Sequence, residues 1–508
     1  MVFKKSKIDL SSNSSKFSII LFSRIWTALI SILFVPFYVK IIGAESYGLV
    51  AFFGTLSGSL AILDLGLSTA ISRQVSILLT QPGKQKESKD LIFSVEIIYW
   101  LMAVVVGFLV VLLAQPIALY WIKTKDLPIA TIQKAVMLMG AVFAVQFPAS
   151  IYNGVLIGSD KQIPNAVAAV VFTTLKVVGV IAVLKLVSPT IESYFIWQVL
   201  ITLISTFCLR FLVWNNFKVS LEKARFSFSQ LKTIWRFAAG MTGISLVTFF
   251  LTQIDKVVVS KFVLLEFVGY YNLAFLVTSG ITSLITPLQP IIFPKFTALV
   301  ARDKQVELVA LFHKSCRWIA IIVFPIGFTL ILFAEEILFL WTKNTTLTDN
   351  TAPIVRVVAA GTICNCMMWV PYWYMLAKGI TKFTIYQNII ASIVLVPLLF
   401  WWTGEYGALG ASFVWLTVNA GYILISMPIF HRLYMPVGSI NWYKNDIGVP
   451  FVSAAIIALC AKYFQVHWLN NLNILPLFLV FSCCLLFYVL TIPELRKPFF
   501  LLRARYMK

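Results

Sequence analysis

The chain has 508 residues, 60% apolar and only 12% charged, with 41 Lys and Arg against 20 Asp and Glu. Soluble domains carry about a quarter charged residues, so this composition excludes an ordinary water-soluble protein and points to a bilayer as the solvent. The net charge of +21 would suggest nucleic acid in a soluble chain. No basic stretch here has a soluble fold around it, so cytoplasmic loops explain the charge better and no nucleic-acid partner is expected.

Fourteen segments are apolar over the roughly 20 residues that a helix needs to cross hydrocarbon. In chain order they are 17–42, 47–72, 90–114, 134–158, 163–187, 192–214, 233–258, 268–298, 315–335, 353–377, 383–402, 407–430, 447–464 and 473–492. Lys4, Lys5 and Lys7 before the first segment give it the look of a signal peptide. It is too long for an h-region and lacks a small-residue cleavage site, so it is expected to stay as the first helix. The longest outer connection, 115–133, has 19 residues, which leaves no room for an extramembrane domain.

Ionisable residues inside the spans are few, and each costs about 2.5–3.5 kcal/mol at a helix centre, so each is a functional candidate. Arg24 lies in the first span, Asp64 in the second, Glu96 in the third and Lys176, nearest the midplane, in the fifth. Arg24 and Lys176 are the candidates for an anionic substrate. Asp64 and Glu96 are assigned to pairing or to ion coupling, with an Arg24–Asp64 salt bridge as the plain structural alternative. Arg73, Arg210 and Arg236 fall at span ends, where headgroup anchoring is ordinary. In the tenth span Trp369 and Trp373 are four apart and share a face, which suits stacking on sugar rings. Pro36, Pro148, Pro287, Pro290, Pro294, Pro325 and Pro371 predict bends. Cys364 and Cys366 are two apart, on different helix faces, so no metal pair is expected.

With the N-terminus inside and the spans alternating, the inner segments hold 29 Lys and Arg and the outer ones 10. That bias predicts both termini in the cytoplasm. An internal repeat is visible as well. GFLVVLLAQPIALYWIK (107–123) lies on GFTLILFAEEILFLWTK (327–343) at an offset of 220. Tyr152 and Leu156 match Tyr372 and Leu376 at 220, and Gly158 and Lys161 match Gly379 and Lys382 at 221. Six spans per repeat keep both copies in the same sense across the membrane, the parallel arrangement. The expected fold is an all-α polytopic membrane protein of about 14 helices, with two parallel-repeat six-helix lobes and two further C-terminal helices. The expected boundaries are 1–214 and 233–430 for the lobes, 215–232 for a cytoplasmic linker, and 431–508 for the last two helices and a basic tail.

The run ESYGLVAFFGTLSGSLAILDLGLSTAISRQ (45–74), the stretch QIDKVVVSKFVLLEFVGYYNLAF (253–275) and GALGASF (407–413) resemble polysaccharide exporters of the multidrug/oligosaccharidyl-lipid/polysaccharide superfamily, specifically the Wzx-type O-antigen flippases. The resemblance covers most of the chain. It implies flipping of undecaprenyl-diphosphate-linked oligosaccharide across a bacterial inner membrane, with the bilayer and the polysaccharide polymerase machinery as partners. It also implies gating by bending of the first and seventh helices, where Gly240 and Gly243 lie.

The competing reading is a multidrug/cation antiporter of the same superfamily, which would need acidic residues in its cavity. An enzyme such as a polymerase or ligase would need catalytic groups near a sizeable outer loop, and His313, His431 and His467 are scattered. QPGKQK (81–86) lacks the upstream Gly and the Ser or Thr of a phosphate-binding loop. The expectation is therefore a transporter and not an enzyme, with no cofactor and no metal.

Overall fold

The computed structural model describes residues 13–64, 66–217, 223–235, 246, 249–250, 252–435, 439–468 and 483. All of its regular structure among these residues is helical, with one isolated bridge between Lys123 and Leu264. Eleven of its helices are long and apolar enough to cross a membrane. One of them, Thr381–Tyr434, spans 54 residues and contains Gly407 at φ 61, ψ −141, so it holds both the eleventh and the twelfth predicted spans. Half of the predicted seventh span and nearly all of the fourteenth lie outside the described residues.

The surface of these helices identifies their solvent. Helix α1 is Asn13–Leu33, α2 Val35–Ile42, α3 Ala44–Leu60, α4 Leu67–Thr80 and α5 Gln85–Leu112. On α5 one face buries Tyr99, Ala103, Gly107 and Val110, while Leu101, Val104, Phe108 and Leu112 are exposed. Both faces are apolar, which only hydrocarbon tolerates over such a length. The chain is a multi-pass membrane protein.

The next helices are α6 (Ile129–Gln146), α7 (Ala149–Gly158), α8 (Gln162–Leu186), α9 (Ile191–Asn216) and α10 (Ile254–Phe262). Then come α11 (Leu265–Ile285), α12 (Gln289–Ala301), α13 (Gln305–Leu332) and α14 (Ala334–Thr342). The series ends with α15 (Thr345–Met367), α16 (Trp369–Ala377), α17 (Thr381–Gly421), α18 (Met427–Tyr434) and α19 (Val449–Trp468). Two compact units result, Met1–Gly269 and Tyr270–Lys508, with the division inside α11. In the first unit the α10 end is tied down by Trp121 Nε1, which donates to Ser260 Oγ at 3.1 Å, and by Lys123 Nζ, which donates to the Phe262 carbonyl at 3.0 Å.

Spans expected to be continuous are broken. The second parts at a 3₁₀ turn, Ala61–Asp64, followed by Gly66 in the left-handed region at φ 67, and α4 restarts from it. The eighth parts at the 3₁₀ turn Thr286–Leu288, where Pro287 and Pro290 withhold backbone donors. The fourth and tenth part at Phe147–Pro148 and Met368. The expected 19-residue outer connection is largely helical, continuing through Ala114–Pro116 and the π-turn Ile117–Trp121.

The repeat reappears as matched breaks. Helices α5 and α13 are both 28 residues long and both interrupted at the following residue, Leu113 and Phe333. After α7 and α16 the register shifts by one. Asp160 N–H donates to the Ile157 carbonyl and Lys161 N–H to Leu156, while Gly379 donates to Leu376 and Ile380 to Met375. Asp160 and Gly379 both have positive φ, 55° and 72°. Each of these pairs stands 219 positions apart. The helices carrying Tyr152 and Tyr372 start 220 residues apart, at Ala149 and Trp369, while the hydrogen bonds of the turn that follows, around Gly379, align at 219.

Candidate functional site

Interior polar groups in a membrane protein must find partners or line water. In the first unit a cavity of about 230 Å³ opens where the α6–α7 junction faces α8 and α9. Gln146 and Asn153 reach it from the junction, Asn165, Thr173 and Lys176 from α8, and Ser205 from α9. Asn165, Thr173 and Lys176 are 8 and 11 positions along one helix, so they share a face. Lys176 is half-buried and its ammonium has no ion pair or hydrogen bond among the described residues. Thr202 Oγ1, on the same wall, is buried without a partner. The cavity therefore offers one cation, several amides and hydroxyls, and no carboxylate among its described lining residues.

Arg24 is not part of this cavity. Helix α1 docks on α8 through Ser23 Oγ, which donates to the Ala166 carbonyl at 3.0 Å, and Trp26 Nε1, which donates to Thr174 Oγ1 at 2.9 Å. Arg24 lies on the exposed side between them, and its guanidinium pairs with no described residue. The alternative of an Arg24–Asp64 bridge is not realised among the described residues. Asp64 sits in the break of the second span, where Tyr99 Oη donates to Oδ1 and Ser68 Oγ to Oδ2. Its carboxylate is committed to closing that break ahead of the α4 N-terminus, a position that favours negative charge.

Glu96 is 4% exposed and fully engaged. Arg210 forms an ion pair with it, Tyr152 Oη donates to Oε1 at 2.6 Å and Trp214 Nε1 donates to Oε2 at 3.1 Å. Trp100 Nε1 in turn donates to Tyr152 Oη at 3.1 Å. This is the pairing role, and it also removes Arg210 from the list of headgroup anchors. Arg73 is exposed on α4, and Arg236 lies outside the described residues.

The predicted tryptophan pair separates. Trp369 lines a cavity in the second unit, but Trp373 is 2% exposed, packed edge-to-face against Trp369 at 6.1 Å. Both rings stand on α16 and touch each other, but only Trp369 reaches the cavity, so Trp373 is a core residue and not a stacking platform in this structure. A second buried acid was not anticipated. Asp446 is 1% exposed and is held by His313, with Arg317 Nη1 3.8 Å away. No group of three or more His, Cys, Asp or Glu suited to a metal occurs among the described residues.

Sequence comparison places these features among known proteins. The profile of a family described as "Polysaccharide biosynthesis protein" matches residues 14–300. A protein of Shigella flexneri named "Putative O-antigen transporter" is 21% identical over 388 residues, 76% of this chain and 90% of that one. Among solved structures, "Lipid II flippase MurJ, inward closed conformation" superposes with a TM-score of 0.65 at 14% identity, covering 93% of this chain and 98% of that one. An inward-facing multidrug resistance MATE family transporter of the MOP superfamily gives 0.66 at 14% identity, with 85% and 98% covered. The fold is that of the MOP-superfamily transporters.

Proposed function

The chain belongs to the polysaccharide biosynthesis protein family, and from that premise we propose that it is a flippase for undecaprenyl-diphosphate-linked oligosaccharide of the O-antigen type. It moves the glycan head from the cytoplasmic to the periplasmic leaflet of a bacterial inner membrane, with both termini in the cytoplasm. Two six-helix lobes, 1–214 and 233–430, alternate access, and the segment 431–508 adds two helices. It is a transporter and not an enzyme.

The observation that carries this reading is the Lys176 cavity. A polar head cannot cross hydrocarbon bare, because each unsatisfied polar group costs several kcal/mol there. A polar recess whose one ammonium pairs with no described residue, set among amides and hydroxyls, suits a ligand that is both anionic and hydroxyl-rich. Arg24, outside this recess on the exposed side of α1, is a separate phosphate contact in this reading, with a planar fork that matches phosphate oxygens. The antiporter reading is disfavoured because Asp64 and Glu96 are both already occupied by internal donors.

The test is deletion of the gene followed by analysis of surface glycan and lipid-linked intermediates. Loss of the glycan with accumulation of unflipped units is expected. Lys176→Ala and Arg24→Ala at normal protein levels should each reproduce much of that loss, and Lys176→Arg should retain export. Full export by both alanine variants, or drug sensitivity as the sole phenotype, would refute the assignment.

A further inference from the structure

The second unit is hollow at the place where the first one is. Its cavity, about 190 Å³, lies between α15, α16, the start of α17 and the π-turn Tyr422–Ser426. At the 219-residue register of the turn between α16 and α17, its wall coincides with that of the Lys176 cavity. Asn365 stands for Gln146, Tyr372 for Asn153, Thr384 for Asn165, and Gln387 and Asn388 for Ala168 and Ala169. The same register puts Leu395, 4% exposed, at the position of Lys176. The cation is gone, and no charged residue is found among the described lining residues.

What replaces it is an aromatic wall opposite an amide edge. Trp369 is held by its Nε1, which donates to Asn365 Oδ1 at 3.1 Å. Asn365 Nδ2 donates onward to Asn419 Oδ1 at 2.8 Å, so the indole is positioned before any ligand arrives. Facing it, Gln387 Oε1 is buried without a hydrogen-bond partner. A buried acceptor left unmade is unfavourable, and a ligand hydroxyl would satisfy it. A phosphate or carboxylate would find no cation among the described lining residues, and a hydrocarbon would leave Gln387 Oε1 unmatched. A ring with an apolar C–H face and a hydroxyl rim matches both walls.

We infer that the second unit's cavity is a subsite for one uncharged pyranose ring, stacked on Trp369 and hydrogen-bonded by Gln387 and Asn388. Its place in transport rests on the flippase reading above, as the element that selects among neutral sugars. The anionic part of the substrate is left to Lys176.

The test uses the purified full chain in lipid nanodiscs and saturation-transfer NMR with the methyl glycosides of glucose, galactose and N-acetylglucosamine, plus that of glucuronic acid. At least one neutral glycoside should receive saturation and the glucuronide none. Trp369→Ala and the near-isosteric Gln387→Leu should each weaken the neutral ligand roughly tenfold, and Lys185→Ala, at the exposed end of α8, should leave it unchanged. No transfer to any neutral glycoside, or equal transfer in both cavity variants, would overturn the subsite. Export of lipid-linked glycan is scored separately in cells. Normal export without glycoside binding sinks this inference alone, and glycoside binding without export sinks the flippase reading alone.

Discussion

At the scale of single residues, the buried charges divide by whether their protons and lone pairs are already spoken for. Glu96 accepts from Arg210, Tyr152 and Trp214 together. Removing one partner strands a carboxylate in a low-dielectric interior, which is far more unfavourable than losing the pair as a whole. Arg210→Ala should therefore destabilise the protein by about 1–2 kcal/mol, because Arg210 is partly exposed and Tyr152 and Trp214 still donate to Glu96; Arg210→Ala/Glu96→Leu should recover part of that loss. Thermal unfolding of the purified variants measures both. Lys176 differs in that nothing described pairs with it, and that distinguishes a binding group from a structural one. Its helix carried the signal in sequence, since Asn165, Thr173 and Lys176 repeat on one face of an otherwise apolar segment. Trp369 and Trp373 carry no such distinction, because four-residue spacing shows a shared helix face and not which of the two rings neighbouring helices cover.

At the scale of elements, helices meet where side chains are smallest. A Cβ on Gly154 would lie 2.5 Å from the Ser68 carbonyl oxygen, and one on Gly158 would lie 2.3 Å from that of Ser72. Two glycines four apart thus let α7 approach the backbone of α4, the small-residue contact usual between membrane helices. The α5–α6 contact has the same device, with a Cβ on Gly107 only 2.6 Å from Ala144 Cβ. Gly158→Leu should force α4 and α7 apart and lower the yield of monodisperse protein in detergent-based size exclusion. Gly54→Leu should be neutral in the same assay, because an added Cβ meets nothing within 4 Å there. The breaks are less legible in advance. Proline marks those near Phe34, Phe147 and Thr286. The break at Asp64 depends on a glycine, on the Ser68 hydroxyl four residues on and on the Tyr99 hydroxyl from another helix.

At the scale of the whole molecule, the distribution of basic residues predicts which connections face the cytoplasm. Single cysteines at Lys84→Cys and Lys304→Cys should react with impermeant maleimide only after the inner leaflet is opened. Lys125→Cys and Ser188→Cys should react in intact spheroplasts, and the reverse pattern would invert the proposed orientation. The segment before α19 is built into the second unit through Asp446, His313 and Arg317, and Lys462 pairs with Glu336 farther along. Asp446→Ala should therefore lower the melting temperature without altering surface labelling, which a loosely appended helix would not do.

Periodicity and composition alone determine that this chain spans a membrane many times, that it is helical, and that it is built from a repeated unit near 220 residues. Those properties follow from local chemistry, because a backbone in hydrocarbon must bond to itself within each segment. Tertiary structure decided which interior charges are spent on packing, where helices break, and which polar faces are turned onto a hollow. These depend on partners more than a hundred positions away, such as Arg210 for Glu96, and no local pattern in either segment encodes the meeting.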